Sequence, residues 1–162
     1  MQILVLSDSH GDRKIIRLLL ERYNHKLQTV VHLGDNAGDL LRYAPDYPGL
    51  NLVAVAGNCD YYASAPRELV LTLGAPISRR ILLMHGHSHN VKYDYNRLMY
   101  YAQEKDVNAC LFGHSHVPVT FYHESVFFMN PGSVSEPRGM SRAAYGLLTI
   151  HDGNITGEII HL

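Results

Sequence analysis

Five apolar runs in this chain stop in the same way, on a glycine set beside residues that bind metals or carry protons. The stops are Asp8-Ser9-His10-Gly11, Gly34-Asp35-Asn36, Gly57-Asn58-Cys59-Asp60, His85-Gly86-His87 and Gly113-His114-Ser115-His116. The runs before them, over 3–7, 29–33, 50–56, 80–84 and 109–112, have the length and content of strands buried on both faces. Open α/β sheets bind ligands outside the carboxyl ends of their strands. Glycine there permits tight turns and close backbone approach. One such stop means little, since a Gly-Asp after a strand is more often a plain turn. Five in order mark one edge of a fold as a site.

The segments between the runs supply the helices. Asp12 is a candidate N-cap, followed by an inner stripe of Ile15, Ile16, Leu19, Leu20 and Tyr23 with Arg13, Lys14, Arg17, Glu21 and Arg22 outside. Pro45 and Pro48 end any helix running through 40–43. Tyr95, Leu98, Met99 and Ala102 form a second amphipathic stripe. Residues 68–73 alternate with period two, and 117–123 and 126–129 read as a strand pair. Residues 145–151 and 155–161 flank Asp152-Gly153-Asn154, a hairpin signal. The pattern is α/β in front and antiparallel β behind. The fold class is α/β, with two packed sheets flanked by helices.

At 162 residues the chain reads as a single domain spanning 1–162, too short for a (β/α)₈ barrel and so for an amidohydrolase built on one. Net charge of −1 gives no footprint for nucleic acid or an anionic membrane. No stretch approaches the ~20 apolar residues of a membrane span. The N-terminal run is too short for a signal peptide, and two cysteines make no disulfide framework. The expected location is the cytoplasm. Six of the 11 histidines fall in three short clusters, at 10, at 85, 87 and 89, and at 114 and 116. Histidine is the commonest metal ligand. A metallo-β-lactamase-type site needs His-x-His-x-Asp-His, and His85 to Asn90 lacks the Asp-His.

Asp-x-His, Gly-Asp, Gly-Asn, His and Gly-His-x-His in that order resemble the calcineurin-like metallophosphoesterases. Gly57-Asn58-Cys59-Asp60, His85-Gly86-His87 and Asn130-Pro131-Gly132-Ser133 resemble their small YfcE-like phosphodiesterases, and the resemblance covers nearly the whole chain. It implies a four-layer α/β/β/α sandwich holding two divalent ions. Asp8, His10, Asp35 and His116 would bind the first, and Asp35, Asn58, His85 and His114 the second. Manganese is the first choice, with iron, zinc or nickel behind it, since mixed nitrogen and oxygen ligands suit transition metals. The implied reaction is hydrolysis of small phosphodiesters by in-line attack of a hydroxide shared between the metals. Asn58 and His87 are the candidate catalytic residues, His87 contacting phosphate or leaving group or else supporting His85. Arg138 is a candidate substrate contact, against the reading of a solvated surface arginine. Tyr61 and Tyr62 suit half-buried strand positions better than base stacking, and Cys110 reads as core. Wider relatives carry histidine where this chain has Cys59, which is expected to pack its loop.

Several alternatives stand beside this reading. A protein-binding subunit of retromer shares the fold but lacks a full ligand set, so a non-catalytic metal-binding scaffold or interaction module is the competing class. The 25 residues from Asp60 to Met84 leave no room for a cap domain, so the site should be open. The expected partner is a small phosphoester rather than nucleic acid or a membrane. A homo-oligomer is suggested only by analogy.

Overall fold

Alternation along the first strand determines the layering. In β1 (Gln2–Leu6), Ile3 and Val5 point to one face and Leu4 and Leu6 to the other, and all four are buried. The strand therefore needs cover on both sides. The computed structural model, which describes residues 1–61 and 64–162, provides it with two five-stranded sheets and outer helices.

The first sheet runs in the order β10-β9-β1-β2-β3, where β2 is Thr29–His32, β3 is Asn51–Ala54, β9 is Ala144–His151 and β10 is Asn154–His161. The second runs β4-β5-β6-β8-β7, from Glu68–Leu73, Arg79–Met84, Ala109–Leu111, Val126–Asn130 and Val119–His123 respectively. β1, β2 and β3 are parallel, as are β5, β6 and β8. Between the sheets, Ile3, Val5 and Val31 pack with Ile81, Leu83, Leu111 and Met129. On the outer face of the first sheet, Leu4, Leu6 and Val30 meet Ile16, Leu19 and Leu20 of α1 (Arg13–Tyr23). On the outer face of the second, Leu82, Cys110 and Phe128 meet Leu98 and Ala102 of α3 (Asn96–Glu104). This is the expected four-layer α/β/β/α sandwich.

Local signals act as the sequence implies. The Asp12 side chain accepts from Ile15 N–H at 3.2 Å and caps α1. The second helix, α2 (Gly38–Leu41), is one turn long. The expected α/β front and antiparallel back hold along the chain, with β7–β8 and β9–β10 antiparallel, but the back forms no layer of its own. The β9–β10 hairpin returns to the first sheet, with β9 antiparallel to β1, while antiparallel β4 and β7 edge the second. The reason is burial: Ala144, Tyr145, Leu148 and Ile150 make β9 apolar on both faces, so it takes an interior position and leaves the edge to β10. β3 also ends at Ala54 rather than at 56, and Ala56 N–H then turns to the Pro66 carbonyl at 2.8 Å. Among the described residues, no helix is long and apolar enough to cross a membrane.

Candidate metal centre

The loops leaving the carboxyl ends of β1, β2, β3, β5 and β6 converge on one rim. Their backbones are bent sharply to do so. Asp8, His10, Asp35, His114 and His116 all have positive φ, from 43° to 68°, a region that non-glycine residues rarely occupy and that costs energy. Two glycines allow the close approach. A Cβ on Gly57 would collide with the Asp35 carboxylate, and one on Gly113 with the Ser7 hydroxyl.

The side chains form two groups that share a member. Asp8, His10, Asp35 and His116 each offer a ligand atom, all within 4.8 Å of one another, and so do Asp35, His85 and His114. Asn58 joins the second group through its Oδ1, 3.1 Å from His85 Nε2. All seven residues expected at the site therefore come together, and Asp35 belongs to both groups. Asp8, Asp35, His85 and His116 are almost wholly buried.

Hydrogen bonds fix which imidazole nitrogens face inward. His85 Nδ1 donates to the Leu33 carbonyl at 2.8 Å and His116 Nδ1 to the Glu136 carbonyl at 2.5 Å. Each Nε2 is then the nitrogen turned toward the carboxylates and available to a proton or a metal, the second-shell arrangement typical of metal-binding histidines. His116 Nε2 lies 3.1 Å from Asp8 Oδ1 and 3.3 Å from His10 Nε2. His85 Nε2 lies 3.4 Å from Asp35 Oδ1 and 3.1 Å from His114 Nδ1. Asp8 Oδ1 is buried with no hydrogen-bond donor aligned on it. Facing acceptors at such separations repel unless positive charge sits between them. A proton on Nε2 or a bound cation meets that need.

The acid–base balance of the rim points the same way. Burial raises the pKa of the Asp8 carboxyl. His116, His85 and the Ser7 hydroxyl at 2.5 Å outweigh burial and hold it below the usual value. Burial also opposes ionisation of Asp35, but His85 and the Cys59 N–H at 2.8 Å depress its pKa strongly. Despite desolvation, the carboxylates raise His85 and His116 toward the protonated form. His114 moves to about 4 through burial and the charges of His85 and Lys92. Burial, with His85 and Arg67, lowers His87. The rim attracts positive charge.

A supporting layer was not singled out from sequence. Asp39 accepts from Ser9 Oγ, from Gly11 N–H, both at 2.8 Å, and from Arg13 Nε at 3.1 Å, pinning the Asp8–Gly11 loop. Asp60 accepts from the N–H groups of Asn36, Ala37 and Gly57, tying the Asp35 loop to the Asn58 loop. Buried His32 accepts from Gly34 N–H on Nδ1 and donates from Nε2 to Ser9 Oγ, so both nitrogens are used by the neutral ring. A histidine inside an otherwise apolar strand was the signal available for it. The Asn130-Pro131-Gly132-Ser133 turn braces the rim: Asn130 Nδ2 donates to the Gly113 carbonyl and Ser133 Oγ to the Asp8 carbonyl.

The remaining candidates are placed as follows. His87 is half-buried beside His85 with its Nδ1 unpartnered. Arg138 is exposed in the loop beyond His116, its N–H 3.4 Å from the His116 carbonyl. Cys110 is in the core. Tyr61 is an exposed loop residue, 84% accessible, and not the half-buried strand aromatic its apolar ring suggested; Tyr62 lies outside the described residues.

Comparison with known proteins gives a consistent result. The family model of the calcineurin-like phosphoesterase superfamily domain matches residues 1–153. A probable metallophosphoesterase of Bacillus subtilis, YsnB, is 32% identical over 157 residues, covering 96% of this chain and 88% of the relative. The phosphodiesterase YfcE of Escherichia coli K12 is 30% identical over 171 residues, covering 91% and 87%. The crystal structure of a predicted phosphoesterase from Streptococcus pneumoniae TIGR4 superposes with a TM-score of 0.83 at 36% identity, covering 99% of this chain and 88% of that one. Vps29 of Entamoeba histolytica complexed with zinc superposes with a TM-score of 0.76 at 25% identity, covering 99% and 98%.

Proposed function

Because this chain belongs to the calcineurin-like phosphoesterase superfamily, we propose that it is a two-metal phosphodiesterase acting on small phosphodiesters. The observation that carries the reading is the sharing of Asp35 between two adjoining ligand groups. A carboxylate has two oxygens and is suited to serve two cations at once. Asp8, His10 and His116 complete one set, and Asn58, His85 and His114 the other. When bound, two divalent cations supply Lewis acidity toward phosphoryl oxygens and lower the pKa of nearby water.

The protein's own groups do the rest. The Leu33 and Glu136 carbonyls hold His85 and His116 in the ligating tautomer. Arg138, beyond His116, contacts the scissile phosphoryl group, and His87, beside His85, the leaving group. Two divalent cations against the carboxylates of Asp8 and Asp35 leave a formal double positive charge, which a diester monoanion and hydroxide offset. A monoester dianion would overshoot it. Manganese is the first choice of metal, ahead of iron, zinc or nickel, because the donor set mixes imidazole, carboxylate and amide oxygen. Free thiols at Cys59 and Cys110 suit a reducing, cytoplasmic setting.

The test is to measure metal content and hydrolysis of bis(p-nitrophenyl) phosphate on one manganese-loaded preparation. Two equivalents of metal with chelator-sensitive turnover are expected. Two equivalents without turnover on any mono- or diester would favour the scaffold reading, for which the zinc-bound Vps29 neighbour is the precedent of fold.

A further inference from the structure

We infer that Arg67 forms a second anion subsite, so that the substrates of this site are small phosphodiesters carrying another phosphate or carboxylate on one arm. The inference rests on the phosphodiesterase reading for the position of the scissile group and adds what the rest of the substrate must carry. A cavity of about 490 Å³ opens beside the second ligand group, lined by Asn58, Asp60, Tyr61, Arg67 and His87 among others. That volume is in the range of small-molecule sites, ample for a sugar or short linker bearing a second anion. A smaller cavity of about 260 Å³ adjoins it and shares Arg67 and His87.

Arg67 is exposed at the cavity mouth and lacks an ion-pair partner among the described residues. Its guanidinium makes no ion pair or hydrogen bond with any described residue. The two acids that adjoin it are already engaged. Both oxygens of Asp60 are taken by three backbone N–H groups, and Glu68 accepts from Tyr101 at 2.7 Å and Lys105 at 2.9 Å. The cleft on the other side of Asp60 and Tyr61 makes the contrast. It too holds an arginine, Arg13, but that one is paired with buried Asp39 at 3.1 Å. At the other end of the rim the backbone N–H of Arg138 meets the His116 carbonyl, and the charge of its side chain acts on His116. The ligand cluster thus lies between two arginines, one by each group. Arg138 is placed for the scissile phosphoryl, and Arg67 for an anion on the arm that leaves past Asn58. A planar guanidinium binds a phosphate or carboxylate through two donors.

Calorimetric binding of thymidine 3′,5′-bisphosphate and thymidine 5′-monophosphate to the manganese-loaded protein tests this. Wild type should favour the bisphosphate by roughly tenfold to a hundredfold, the range of a charge-assisted hydrogen bond. Arg67→Ala should bring that ratio close to one, and Arg67→Lys should keep part of it. A ratio within one protein is insensitive to the folded fraction. An unchanged ratio in Arg67→Ala, or no preference in wild type, overturns the subsite. Hydrolysis of the p-nitrophenyl ester of thymidine 5′-phosphate separates the two readings. Turnover without the binding preference removes the subsite alone. The binding preference without turnover of that ester, or of its 3′-phosphorylated counterpart, removes the phosphodiesterase reading and leaves the subsite.

Discussion

The middle of each central strand and its carboxyl end lie within a few residues of each other, yet they are built on opposite terms. In the middle, Leu4, Val5, Val30, Leu82 and Cys110 are buried among apolar neighbours in regular pairing. At the ends, Asp8, Asp35, His85 and His116 are buried just as deeply but are polar, mutually repelling in part, and mostly held at positive φ. Strained backbone and half-compensated polar groups persist only where surrounding structure forces them. The strand interiors contribute the stability that the rim uses up. Changes to one region should therefore leave the property of the other largely intact.

The largest effect should come from the rim. Asp35→Ala should lose both metals and more activity than the ~10–100-fold typical of losing an outer-shell partner. Asp8→Ala or His114→Ala should chiefly weaken one metal. Elemental analysis of the purified variants checks this, and two full equivalents in Asp35→Ala would end its assignment to both sets. In the strand interior the pattern should invert. Phe128 is fully buried and stacked on Phe121 at a centroid distance of 4.8 Å. Phe128→Ala should cost about 3–5 kcal/mol in denaturant unfolding while the folded protein still binds two metals. Chelation should likewise abolish turnover and leave cooperative unfolding, because the core is large enough to stand alone.

His32 lies at the border of the two regions and should couple them to pH. Burial pulls its pKa from 6.5 down to about 4, against Asp8, Asp60 and Asp39 and with help from His85. The unfolded chain therefore takes up a proton on this residue that the folded chain refuses. Its contribution is present in full above pH 6.5 and is lost as pH falls from there toward 4, by up to about 3 kcal/mol. Unfolding measured across that window should show a flatter acid limb in His32→Gln. A parallel limb would mean that His32 is not the titrating group. The smallest effect should be at Cys59. Burial and the Asp35 carboxylate push its thiol up to about 11, and its backbone N–H, which holds Asp35 at 2.8 Å, does not depend on the side chain. Cys59→Ala should keep two metals and alter hydrolysis of nitrophenyl diesters only a few-fold. A loss beyond about a hundredfold in kcat would make the thiol a general acid.

The same division governs what the sequence reveals. Strand interiors are legible because two-sided burial writes an apolar run, and α1 and α3 because their stripes at 16, 19, 20 and at 98, 102 repeat with the helical period. The convergence of the seven rim residues is legible because each follows a strand in a parallel unit, whose carboxyl ends share an edge. What is missing from sequence is pairing between distant segments. Nothing local says that β9 docks on β1 through Ile3 and Leu148, or that Asp39 and Asp60 serve loops 24 to 30 residues away. Tyr61 departs from the expected half-buried position because an aromatic ring is compatible with burial and does not require it. Arg67 carries no local motif at all, and only the exhausted acids around it set it apart.

The central claim is that one carboxylate organises two cation sites on a rim that the core carries. Diffraction at the manganese absorption edge from crystals grown with manganese tests it most directly. The account predicts two anomalous peaks per chain, one among Asp8, His10, Asp35 and His116, the other among Asp35, Asn58, His85 and His114. A single peak, or two that do not share Asp35, would contradict it.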